Sequence, residues 1–235
     1  MSGTIGNQSR LSQLGLRLVA EFAIVVLGVT VALWADGRVT EQHQRETEAA
    51  RLAALDDNLR STLTGLRQEQ ESAEGAARAL RRLVSIGPEE LTGEELHEAL
   101  LYGFLYVPTF QPELNVYEDL KNSGELALLT EPKLRRSLAV MDARLQALRA
   151  AQADIETVQQ LNLDAYLLAR VDLRSIMGDF LDLDGVDPSE ADLSFARTLE
   201  FRNLAIFKLD LIVQIAKEFE EAEGALTAVH QLVQE

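Results

Sequence analysis

The chain has no cysteine, five prolines and a single tryptophan in 235 residues. Without cysteine there is no disulfide framework, no thiolate zinc site and no cysteine nucleophile. Basic residues are scarce as well: 22 Lys and Arg stand against 38 Asp and Glu, a net charge of −16. That balance argues against a nucleic-acid partner, whose phosphates need stripes of Lys and Arg, and against a surface that clings to anionic lipid. Catalytic signatures are missing too. There is no H-E-x-x-H, no P-loop and no G-x-S-x-G, and no constellation sets a nucleophile beside a base. No catalytic residue, cofactor or metal is expected, and the chain reads as a non-enzyme. No repeat of fixed period and no low-complexity tract interrupts it. What is abundant is Leu, Ala, Glu, Arg and Gln, a composition that favours helix nearly throughout.

Residues 18–35, LVAEFAIVVLGVTVALWA, are apolar or small except for Glu21 and Thr30. A helix of that length rises about 27 Å, against a hydrocarbon thickness of roughly 30 Å. Trp34 falls where an interfacial aromatic belongs. The expectation is one transmembrane helix over 18–35 after a tail over 1–17. The competing reading is a signal peptide cleaved after Ala32, against which the length of the run and its internal Glu both count. Leu199 to Ala216 also looks apolar, but Arg202, Asn203, Lys208 and Asp210 make it a poor second span. Arg10 and Arg17 precede the run; Arg38, Arg45 and Arg51 follow it among Asp36, Glu41, Glu46 and Glu48, so the flanks nearly balance. A short tail before a large C-terminal domain points to a single-pass protein of a bacterial inner membrane with that domain periplasmic.

Glu21, Gly28 and Ala35 are seven residues apart, and Val25 and Ala32 fill the neighbouring positions of the same stripe. Gly28 and Ala32 form a small-xxx-small pair that lets helices approach closely. Three readings of Glu21 stay open: it snorkels to the headgroups, it faces partner helices on an oligomer seam, or it lines a proton or ion path. The expected partners are the lipid bilayer, further copies of the chain and a protein partner.

Beyond the run, 36–87 reads as a stalk continuing into a first bundle helix. Leu52, Leu55, Leu59, Leu63, Leu66, Ala73, Ala77, Leu80 and Val84 recur at three- and four-residue steps, interrupted by Gln70. Leu52, Leu59 and Leu66 are candidates to continue a contact between subunits. A small aromatic-rich helical insertion over 88–129 follows. Thr92 and Glu95 make a capping box there, and 99–107, ALLYGFLYV, is an apolar run too short for a membrane. A further helix through Tyr117 and Leu120 stops at Asn122-Ser123-Gly124. Tyr102, Phe104, Tyr106, Phe110 and Tyr117 could form a ligand or partner surface, although a buried centre explains the same residues.

Two long helices complete 130–235, with an acidic connection near 178–190. The first is capped at Thr130-Glu131-Pro132. Its stripe runs from Leu134 through Leu138, Met141, Leu145, Leu148, Ala151 and Ile155 to Val158, Leu161, Ala165 and Leu168. A strict heptad would land on Gln152 and Gln159, so the apolar face is expected to shift. The second opens after Asp187-Pro188-Ser189-Glu190, with a break near Leu199, and has Leu204, Leu211, Ile215, Phe219, Ala222, Leu226, Val229 and Val233 on its stripe. The fold class is all-α: a transmembrane helix continuing into a stalk, and an antiparallel helical bundle with a small insertion.

Other clusters carry little chemistry. Glu94 and His97 match one Glu-x-x-His, but a di-iron bundle needs two. Asp182, Asp184, Asp187 and Glu190 could offer oxygen ligands, yet their spacing fails an EF-hand loop, and a loop capping the next helix explains them.

Three stretches, AEFAIVVLGVTVAL, TFQPELNVYEDLKNSGELALLTEPKLRRSL and LEFRNLAIFKLDLI, together resemble a family of uncharacterised single-pass bacterial membrane proteins. The matching positions are Glu21, Gly28, Ala32, Leu33, Phe110, Pro112, Tyr117, Leu120, Ser123, Gly124, Leu126, Leu128, Leu134 and Arg135. The resemblance implies a Glu-containing span before a helical extramembrane domain and implies no activity. Taken together, the leading expectation is a membrane-anchored scaffold or assembly subunit that self-associates. The alternatives are a sensor or partner-binding module using the aromatic insertion, and an oligomeric pore with Glu21 lining its path.

Overall fold

The computed structural model describes residues 8–86, 90, 92–178, 181, 192 and 194–234. Before residue 46 it describes the side chains of Val26, Leu27, Val29 and Trp34 alone, and it does not describe those of residues 176 and 177. The protein is all-α, with no strand among the described residues. Its helices are α1 Gln8–Ser85, α2 Gly93–Ala99, α3 Asn115–Asn122, α4 Pro132–Val158, α5 Asp164–Arg170, α6 Leu173–Met177 and α7 Leu199–Val233. The chain divides into two compact units, Met1–Leu52 and Ala53–Glu235.

In the first unit α1 carries the apolar run, and Val26, Leu27, Val29 and Trp34 are exposed on it. Glu21, Val25, Gly28, Ala32 and Ala35 stand on α1, with their side chains outside the described residues. Among the described residues no helix is long and apolar enough to cross a membrane; most side chains of 18–35 are not among them.

The second unit is organised by the part of α1 from Ala53 onward, α4 and α7. Each has a buried seam at alternating four- and three-residue steps, the spacing that keeps one face of a helix turned to its neighbours. On α1 it runs Leu55, Leu59, Thr62 and Leu66, and resumes at Ala73, Ala76, Leu80 and Leu83. On α7 it runs without a gap from Phe201 through Ala205, Lys208, Ile212, Ile215 and Phe219 to Val229. Ion pairs give the directions. Asp56 meets His230 at 3.0 Å and Arg67 meets Glu223 at 2.6 Å, so α1 and α7 are antiparallel. Arg144 meets Glu221 at 2.5 Å while Tyr166 reaches Thr198 at 3.1 Å, so α4 and α7 are antiparallel too. Fully burying each Leu, Ile or Phe on these seams is worth about 1.5–3 kcal/mol, whereas the exposed ion pairs chiefly fix register.

The fourth side of this core is residues 93–128. Thr92 and Glu95 form the expected capping box at the start of α2. α2 widens into a π turn, Leu100–Phe104. Gly103 lies so close to α1 that a Cβ there would sit 2.8 Å from Leu80 Cγ. Residues 105–114 then form a strap without regular structure, and α3 ends at Ser123 with Gly124 at φ 77°, the left-handed position that suits glycine. The strap follows α7 in parallel. Phe104 stacks on Phe201 with centroids 5.2 Å apart, and Phe110 meets Phe219 edge-on at 6.2 Å.

Three expectations need correction. On α4 the apolar face does not shift at the glutamines: Gln159 is buried and Gln152 half-buried on the same seam as Leu134 and Leu148. The face turns only afterwards, at a second π turn, Gln159–Leu163. Its extra residue per turn leaves Leu161 and Leu168 exposed and buries Leu163, Tyr166 and Leu167. On α7 the upper seam is Ala205, Lys208 and Ile212, while Leu204 and Leu211 lie beside it, half-buried. That helix begins at Leu199, where the Thr198 hydroxyl accepts from the Phe201 N–H. The predicted opening at Asp187-Pro188-Ser189-Glu190, the Asp182 and Asp184 cluster and the end of the first helix at Gly87-Pro88 lie outside the described residues.

Candidate functional site

A strap inside a helical core poses a chemical problem. Its N–H and C=O groups have no ladder or helix to bond to, and each one buried without a partner costs about 1–3 kcal/mol. The seams solve it with polar side chains at positions where an apolar residue is the rule. From α7, Lys208 Nζ donates to the Tyr106 carbonyl at 2.7 Å. From α4, Gln152 Nε2 donates to the Pro108 and Phe110 carbonyls at 3.1 and 3.2 Å. From α1, Glu69 Oε1 accepts from the Thr109 N–H at 3.3 Å and from the Tyr106 hydroxyl at 2.7 Å. Further along α1, the Thr62 hydroxyl donates to the Glu113 carbonyl at 3.2 Å, and Asn58 Oδ1 accepts from the Val116 N–H at 3.1 Å. Every long helix of the unit contributes.

Lys208 is the most demanding member, being 0% exposed. Its ammonium also donates to Gln159 Oε1 at 2.7 Å, and Gln159 Nε2 donates to Asp164 Oδ1 at 2.7 Å. A lysine only donates and a carboxylate only accepts, so this chain of contacts fixes which end of the Gln159 amide faces which neighbour. Burial lowers the lysine pKa to about 8, and the Asp164 charge works against that shift. Burial also pushes the Tyr106 phenol up, with the Glu69 hydrogen bond and charge adding to the effect. Both π turns converge here: one ends two residues before Tyr106 and the other begins at Gln159.

Beside the strap a groove of about 810 Å³ is lined by Pro108, Gln111, Arg149, Gln152, Glu156 and Gln160, among others. Lys208 is not on its wall, and two of its three N–H groups go to protein acceptors. The arrangement holds backbone in place. A second cleft of about 540 Å³ lies between α1 and the α2–π turn segment, with Arg78, Arg82, Glu95 and Tyr102 on its walls. Arg82 is held by Glu95 at 2.6 Å.

Comparison with protein-family models, with curated proteins and with solved structures found no match. The site is thus read on its own chemistry.

The residues singled out from the sequence divide sharply. Leu59 and Leu66 are 0% exposed within one chain, so each belongs to the core of its own subunit. Leu52, at the end of the first unit, is half-buried. Of the aromatic set, Phe104, Phe110 and Tyr117 are core residues, Tyr106 is half-buried and bonded to Glu69, and Tyr102 alone is exposed, at 65%. The polar seam went unread as a site. Its signal was present: Gln152 and Gln159 fall on the α4 heptad, and Glu69 and Lys208 fall on those of α1 and α7.

Proposed function

We propose that this chain is a non-enzymatic, membrane-anchored helical scaffold. Residues 18–35 of α1 cross a bacterial inner membrane, the second unit forms an antiparallel bundle on the periplasmic side, and copies associate through the stripe of Glu21, Val25, Gly28, Ala32 and Ala35. One observation carries this reading: Val26, Leu27, Val29 and Trp34 are all exposed on α1, and apolar side chains turned outward on such a run are at home in lipid rather than water. With Leu59 and Leu66 buried inside one chain, the proposed self-association rests on the span stripe alone. The test is the mass of the detergent-solubilised protein, full-length beside a form starting at Arg38. An oligomer that falls to monomer on truncation, and that Gly28→Leu weakens without loss of helicity, is the expected result. A monomer in both forms sinks self-association, and full-length protein that stays out of the membrane fraction sinks the anchor.

A second reading has one specific observation in its favour, the exposed Tyr102 on the wall of a cleft. A photo-crosslinking side chain in place of Tyr102 should then give one discrete adduct in cells, absent when the same group replaces the exposed Ala150. Equal patterns at the two positions remove this reading.

A further inference from the structure

The upper half of α7 is apolar on both sides. Phe201, Ala205, Ile212 and Ile215 face the core, while Leu199, Ile206 and Val213 are exposed at 74%, 52% and 40%. These three are seven residues apart, so at 100° per residue they fall within about 40° of one another, opposite the core seam. An apolar stripe exposed on the side away from the core, flanked here by Arg202 and Asp210, is a candidate contact surface.

We propose that this face docks on the same face of a second copy, with the two α7 helices antiparallel about Ile206. The pairing follows from residue arithmetic on the helix. A two-fold axis at Ile206 sets Leu199 against the partner's Val213 and Arg202 against the partner's Asp210. Arg202 has no ion-pair partner among the described residues, and Asp210 accepts only the Gln214 amide, at 2.7 Å. The parallel alternative would set Asp210 against its own copy and Arg202 against its own copy, which is repulsive. Shape agrees with charge. Leu199, the most exposed large apolar side chain described, would enter a groove of about 280 Å³ lined by Ala77, Val213 and Ala216 and rimmed by the stems of Glu74, Arg78 and Arg81. Such self-complementarity is what a two-fold contact requires. A contact made by one helix face is at the small end of specific interfaces and is weak in dilute solution; confinement to a membrane raises the effective concentration. This contact goes beyond the association through the span and uses none of its residues.

The chain's lack of cysteine makes the test clean. Full-length Ile206→Cys protein in mild detergent should form a disulfide dimer about tenfold or more faster than the exposed control Ala150→Cys, because seam thiols meet at an effective rather than a collisional concentration. Mixed Leu199→Cys and Val213→Cys chains should cross-link to each other faster than either does to itself. An Ile206→Cys rate equal to the control overturns the docking, and faster Leu199–Leu199 linkage overturns the antiparallel orientation. Ile206→Glu, at an exposed position, should keep the helicity and abolish the Leu199–Val213 cross-link; persistence of that cross-link counts against the seam. Repeating the set with Gly28→Leu separates this contact from the span: loss of span association with the cross-links retained leaves the α7 contact standing alone, and loss of the cross-links as well overturns its independence.

Discussion

At one end of the second unit Leu59, Leu66, Leu138 and Leu145 give seams of carbon, with Thr62 the polar exception that meets the strap at Glu113; at the other, Glu69, Gln152, Gln159 and Lys208 occupy equivalent seam positions. The spacing is the same and the chemistry opposite. The apolar end packs helices against helices, whose backbones are already satisfied internally. The polar end must also accommodate a strap whose backbone is not. The difference teaches that a polar residue on a heptad position signals a neighbour lacking its own hydrogen bonds, not a break in the helix face.

The largest break in this comparison should come from the apolar end. Leu59→Ala is expected to cost about 2–5 kcal/mol in urea-induced unfolding, with the oligomeric mass unchanged; a loss below about 1 kcal/mol, outside that range, would return Leu59 to a subunit contact. At the polar end the charge on Lys208 gives a pH signature. Its native pKa of about 8 lies below the unfolded value of about 10.4. Between those values the unfolded chain binds more protons, so stability rises with pH through this window and is lost again as pH falls through 8. The protein should gain on the order of 2 kcal/mol over Lys208→Met between pH 8 and 10. Tyr106 and Tyr117, both held protonated in the native state, act in the opposite sense above pH 10 and cancel in the difference. Parallel stability curves for the two proteins would show that Lys208 does not titrate in a buried site.

Gln152→Leu sharpens the contrast further, because leucine is what a purely apolar seam would prefer. It should cost about 1–3 kcal/mol by leaving the Pro108 and Phe110 carbonyls without a donor; a more stable variant would mean that packing, not backbone satisfaction, governs this end. The smallest effect belongs outside both ends. Gly124→Ala meets nothing within 4 Å but must hold φ 77°, so thermal unfolding should show a loss of about 1 kcal/mol from backbone strain alone.

The helices, their caps at Thr92 and Glu131 and the stop at Gly124 were legible in the sequence because each is a local device, set by residues within a few positions of one another. The lower α7 seam was legible as a period. The strap and the polar seam were not, for a physical reason: Lys208 looks like a surface lysine until Tyr106, 102 residues away, is placed against it. Two π turns hid the rest, since one extra residue per turn rotates a stripe and misplaced Leu161 and Leu168. Gln152 and Gln159 stand at heptad positions, where the sequence alone does not distinguish a drift of the apolar face from a polar contact inside the bundle.

The strap's bonds also set an order of events. They join residues 37, 44 and 102 positions apart, and the full set forms only once the strap lies against α1, α4 and α7 together. Contacts of such separation come late on a folding route. The core helices then assemble first, and residues 105–114 lock in after the barrier. In stopped-flow experiments Gln152→Leu should accelerate unfolding while leaving the folding rate nearly unchanged. The buried side chains that hold the strap would thus govern how long the native state lasts, not how quickly it is reached.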